Sequence, residues 1–121
     1  MDKRHIHGKL GEDLTAYYLA RSGYTILCRN YRIRGGEIDI IAENEDTIAF
    51  VEVRTRSEDA WETGAATVGR RKKQLIIRTA IDYLMKHPSD KQPRYDISDV
   101  TVRDGKAVRF AYYDAAFDLS S

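Results

Sequence analysis

Asp39 and Glu52 are the residues of this 121-residue chain whose types and spacing most suggest chemistry. They fall in two short segments that fit together as a hairpin. One reads Gly36-Glu37-Ile38-Asp39-Ile40-Ile41-Ala42, the other Thr47-Ile48-Ala49-Phe50-Val51-Glu52-Val53-Arg54. Asn44-Glu45-Asp46 between them is polar and suited to a turn. If Asn44 to Thr47 form the loop, Glu43 faces Ile48, Ile41 faces Phe50, Asp39 faces Glu52 and Glu37 faces Arg54. Side chains alternate along a strand, so these pairs share one face, with Ile38, Ile40, Val51 and Val53 on the other. Directly opposed residues have Cβ atoms about 4.5–5.5 Å apart, and like charges there repel.

A bound cation would relieve that repulsion. Mg²⁺ takes one or two carboxylates, keeps several waters and adds phosphate oxygens. A cation so held can polarise a phosphoryl oxygen and activate a water. Arg54 beside it would stabilise charge developing on the phosphoryl oxygens. The plainer alternative is that Asp39 and Glu52 are exposed charges on a solvated sheet face. Ile41 and Phe50 weigh against it, because they require the same face to be at least half buried.

The elements that must position this pair are legible in outline. Helical spacing of Leu10, Leu14 and Tyr17, with Tyr18 beside them, predicts a helix from about Gly8 to Arg21, with residues 1–7 flexible. Gly23 is suited to a left-handed cap after it. A strand is expected near Tyr24 to Ile33, broken by Arg34-Gly35-Gly36, then the two hairpin strands. Residues 55–67 show no period and include Trp61, which more simply anchors its loop than stacks on a base. A second helix is expected from about Val68 to Lys86, burying Ile76, Ala80, Ile81, Leu84 and Met85 and stopped before Pro88. Tyr95 to Val102 and Ala107 to Tyr112 read as strands around an Asp104-Gly105 turn, and residues 113–121 as a tail. The order α-β-β-β-α-β-β, with a helix between the third and fourth strands, predicts an α/β domain with a mixed central sheet flanked by helices.

Composition narrows the class. The length suits one domain over residues 1–121. The net charge of +1 points to no partner by itself, and so keeps a protein-interaction domain open. The distribution of charge says more: acids gather around positions 37–62, bases at Arg29–Arg34 and Arg70–Lys73. Arg32 and Arg34 would share a face and could track a nucleic-acid backbone. Arg70, Arg71, Lys72 and Lys73 open the second helix, where the dipole disfavours cations and favours a bound phosphate. The single cysteine, Cys28, forbids an intramolecular disulfide. No apolar run spans a membrane, and the N-terminus lacks a secretory h-region, so a cytoplasmic location is expected.

Glu37-x-Asp39-Ile40-Ile41 followed by Phe50-Val51-Glu52-Val53-Arg54 resembles the PD-(D/E)xK nuclease superfamily. Gly8-Lys9-Leu10-Gly11-Glu12, Asn30-Tyr31-Arg32 and Arg94-Tyr95-Asp96 sharpen the match to the YraN-type family of small bacterial proteins. The resemblance covers about residues 8–102. It implies a restriction-endonuclease-like fold, similar to Holliday-junction resolvases. It implies a Mg²⁺- or Mn²⁺-dependent endonuclease acting on DNA, branched or single-stranded forms included; for so small a globule, cutting both strands would be simplest as a homodimer. It makes Asp39 and Glu52 metal ligands, adds the Val53 carbonyl, makes Glu12 the helix-borne acid that completes the site, and matches Lys72 to a recurrent lysine. Arg54 departs from the motif, which has lysine there. Arginine keeps the charge but does not readily lose a proton. A non-catalytic nucleic-acid-binding module that kept the fold therefore stands beside the enzyme.

Overall fold

The computed structural model describes residues 3–58 and 68–120, so Trp61 and most of its loop lie outside the described residues. The elements are α1 (Lys3–Arg21), β1 (Thr25–Ile33), β2 (Gly36–Glu43), β3 (Thr47–Ser57), α2 (Arg70–Lys86), β4 (Gln92–Arg103) and β5 (Lys106–Phe117). The sheet order is β1-β2-β3-β4-β5. All neighbours are antiparallel except β3 and β4, which run parallel from Thr47↔Gln92 to Ser57↔Val102. The mixed α/β architecture is the one expected, because α2 carries the chain back across the sheet between its parallel strands.

The β2–β3 turn fixes the register. Asn44 Oδ1 accepts the backbone N–H groups of Asp46 at 3.0 Å and Thr47 at 2.8 Å. That side-chain turn is what asparagine supplies most readily. Glu43 then pairs with Ile48 and Ile41 with Phe50, as the hairpin reading requires.

The two helices cover opposite faces. Ile76, Ala80 and Tyr83 of α2 pack with Ile38, Ile41, Ile48 and Phe50. Leu19 of α1 packs with Ile40, Ala42, Ala49 and Val51. On α2 the expected stripe holds for Ile76 and Ala80, with Leu84 half-buried, but α1 buries a different stripe from the one its large apolar residues suggested. On α1 it is Gly11, Thr15 and Leu19 at i, i+4, i+8, while Tyr17 is 62% exposed. Close approach explains the choice: a Cβ on Gly11 would sit 2.0 Å from Thr55 Oγ1, and Thr15 Oγ1 meets Ser98 Oγ at 2.7 Å. On α2, Thr79 and Tyr83 are buried, whereas Ile81 and Met85 are exposed.

Other boundaries also move. α1 begins at Lys3 rather than near Gly8, β3 continues to Ser57, and residues 113–117 belong to β5 rather than to a tail. The Asp104-Gly105 turn and the left-handed Gly23 are as expected, with φ of 50°, 75° and 92°. β4 starts on a buried clasp: Asp96 accepts two bonds from Arg94, one from Tyr112 Oη at 2.5 Å and one from Ala115 N–H.

Candidate functional site

β2 and β3 are paired near their turn and part at Asp39. Their last paired residues are Ile40 and Val51. Beyond them, Asp39 Oδ2 accepts the Val53 N–H at 2.7 Å. The carboxylate thus takes a donor that a continuing ladder would give to a backbone carbonyl. Alternation breaks at the same place. Ile38 and Ile41, three apart, sit in one core cluster, as do Cys28 and Tyr31 of β1. Asn30, between those two β1 residues, is left-handed at φ 55°, which asparagine tolerates better than most residues. Two expectations fail for this reason. Ile38 lies on the α2 face, not opposite Ile41. Glu37 pairs with Arg32 across β1–β2, in register and through an ion pair, rather than with Arg54.

Asp39 and Glu52 do come together: both line one cleft, and the charge of Glu52 acts directly on the Asp39 carboxyl. Burial, and next the charge of Glu52, push the Asp39 carboxyl up to about 8, while the Val53 N–H pulls the other way. Burial and a neighbouring acid thus favour the protonated form of Asp39. Lys72, in the first turn of α2, places its ammonium on Glu52 Oε2. Burial alone would lower the Lys72 pKa, but the bond to Glu52 and the charges of Glu52 and Asp39 together outweigh it and the value is raised. Arg54 is close enough to oppose that rise. Asp39, Glu52, Val53 and Lys72 line one cleft of about 560 Å³, whose far wall is the Gly35-Gly36 turn. Gly36 has no room for a side chain, since a Cβ would lie 2.2 Å from Thr79 Oγ1.

Glu12 stands behind this cleft, held by Arg29 at 3.2 Å and Asn30 Nδ2 at 3.1 Å. Its charge reaches Asp39 and adds to the upward shift there. Among the described residues, however, no three acidic, histidine or cysteine side chains are grouped to grip one ion. Glu12 lines a second polar hollow, of about 510 Å³, with Lys9, Arg29 and Asn30. Arg32 and Glu37 line both hollows. Asn30 is the residue sequence reasoning missed as a site element. Its strand position hid both its left-handed backbone and its bond to Glu12.

The basic residues divide. Arg34 falls in the turn after β1, so it does not share a strand face with Arg32, and its carbonyl accepts Arg78 at 3.4 Å. Arg70 and Arg71 are exposed in the first turn of α2. Lys73 lies over the Phe117 ring, 5.9 Å from its centroid, away from the acidic pair. The donor set fits a hard divalent cation, because a half-buried and a buried carboxyl group line the same open cleft with a lysine ammonium on one of them.

Fold and site together define a class: a small mixed α/β protein with an acidic pair where two sheet strands part, under the first turn of a helix. Residues 11–100 match a family described as uncharacterised protein family UPF0102, and the chain belongs to it. Relatives make the same point. A UPF0102 protein of Chloroflexus aurantiacus is 40% identical over 111 residues, covering 90% of each chain. One from Persephonella marina is 46% identical over 78% of this chain and 83% of its own. One from Anaeromyxobacter dehalogenans is 38% identical over 97% of this chain and 87% of its own. Among the described residues, no helix is long and apolar enough to cross a membrane.

Proposed function

We propose that this protein is a metal-dependent endonuclease of the PD-(D/E)xK type that hydrolyses DNA phosphodiesters. The observation that supports this most is the placing of Asp39 and Glu52 in one open cleft, with Lys72 at the Glu52 carboxylate. Asp39 and Glu52 would hold Mg²⁺ or Mn²⁺, with the Val53 carbonyl as a further ligand. When bound, the ion supplies a Lewis acid and an activated water.

The chain's own residues do the rest. The Val53 N–H fixes the orientation of the Asp39 carboxylate. Glu12, steadied by Arg29 and Asn30, adds negative potential behind the pair. Lys72 and Arg54 balance the charge of the scissile phosphate. Arg70 and Arg71, with the free N–H groups of the α2 N-terminus, receive the flanking phosphate. Arg32 lines the cleft and Arg34 lies in the turn next to it. Asp39 is half-buried in the cleft wall, which favours a strand free to bend inward, as in branched or single-stranded DNA. Cutting two strands is simplest for a homodimer.

One observation favours a second reading, a binding module without turnover. Arg54 stands where the motif has lysine, and arginine does not give up a proton. Cleavage of branched and single-stranded DNA with Mg²⁺ or Mn²⁺ separates the two. Activity is expected in the native protein, lost in Asp39→Asn and kept in Lys106→Ala, a control in the exposed β4–β5 turn. Equal trace cleavage by native protein and Asp39→Asn would mark contamination and leave only binding.

A further inference from the structure

We propose that Lys72 is a resident counter-ion of the Asp39–Glu52 pair: its ammonium holds the place of the divalent cation and must leave Glu52 for that cation to bind. This rests on the metal-site reading above and adds a gate to it.

The geometry carries the inference. Two acidic side chains lining one cleft, Glu52 almost fully buried, need a positive charge nearby. Lys72 supplies it from outside the sheet: its side chain is 60% exposed, while that of Glu52 is 9% exposed. The ammonium therefore enters from the open side of the cleft, the side from which an ion would come. Its flexible stem can withdraw without moving the backbone. Two influences favour withdrawal once a divalent ion replaces the lost charge. Arg54 repels Lys72. The N-terminal end of α2 also disfavours a cation, and Lys72 lies in its first turn. The freed ammonium sits beside the helix N–H groups, where a substrate phosphate would bind. One side chain thus balances the acids before the metal arrives and the phosphate afterwards.

The test is calorimetric titration of Mg²⁺ into native protein, Lys72→Met, Lys72→Arg and Asp39→Asn at pH 8.5, above the raised Asp39 value. Thermal unfolding checks that each variant is folded. Native protein is expected to bind Mg²⁺ and Asp39→Asn not to. Lys72→Met is expected to bind at least about tenfold more tightly than native, as removing a competing charged hydrogen bond implies. Lys72→Arg, which keeps the charge, is expected to stay near native affinity. Native binding with no tightening in Lys72→Met overturns the counter-ion role and leaves the metal site standing. No Mg²⁺ binding by either native protein or Lys72→Met overturns the metal reading, and the counter-ion role with it.

Discussion

Asp39 shows how one side chain links strand geometry, proton affinity and a candidate reaction. Its carboxyl ends the β2–β3 ladder through the Val53 N–H and feels the charge of Glu52. With its folded pKa at about 8, well above the ordinary carboxylate range, the folded form binds more protons than the unfolded form between about pH 4 and pH 8. Stability contributed by that proton is complete below the unfolded value and is lost as pH rises through the folded one. Asp39→Asn should remove this dependence. In a metal chelator at pH 9, urea denaturation is expected to show the variant about 2 kcal/mol more stable than native protein, with little difference at pH 4. Equal stability of the two proteins at pH 9 would contradict the buried, repelling pair. Gly11 is a second single-residue determinant, since a methyl there meets Thr55 Oγ1 at 2.0 Å. Gly11→Ala should cost about 1–3 kcal/mol by denaturation. Adding Thr55→Ala should recover much of the loss, which a helix-propensity effect would not do.

At the scale of elements, pattern reading gave identity and order but not the whole of the stripes that pack. The hairpin register was legible because Asn44 specifies its own turn and a one-residue slip would reverse every face. The break at Asp39 was not legible, because it depends on a left-handed Asn30 on the neighbouring strand and on a side chain replacing a backbone acceptor. The α1 face, and the Ile81 and Met85 end of the α2 stripe, were misread because size was weighed over fit. Gly11 and Thr15 bury where backbones approach closely, and Tyr17 stays outside. Lys72 was legible as basic, but its partner Glu52 comes from another element. The β4–β5 pairing carries its own prediction. Tyr112 Oη bonds the fully buried Asp96, whose other partners are Arg94 and the Ala115 N–H. Tyr112→Phe should lose about 1–3 kcal/mol of stability, measured by chemical denaturation, with Mg²⁺ affinity unchanged because Tyr112 packs on the α1 face of the sheet and the cleft is lined by α2.

For the whole molecule, near-neutral net charge conceals a division of labour. Several basic side chains are already matched: Arg29 with Glu12 and Asp13, Arg32 with Glu37, Arg94 with Asp96. Such pairing lowers the charge available to phosphates, so DNA binding should have a modest electrostatic footprint. If Arg54, Arg70, Arg71 and Lys72 each neutralise one phosphate, the logarithm of duplex affinity should fall against the logarithm of salt with a slope of about −3.6. Arg70→Ala should reduce that slope by about one unit. An affinity independent of salt would exclude this surface as the contact.

The decisive measurement is diffraction from crystals soaked in Mn²⁺ and recorded at the manganese absorption edge. A single strong anomalous peak should appear between the carboxyl groups of Asp39 and Glu52, with the Lys72 ammonium displaced from Glu52. The peak should vanish in Asp39→Asn. A fully soaked crystal with no peak there, or with manganese bound only elsewhere, would mean that these two acids do not form a metal centre.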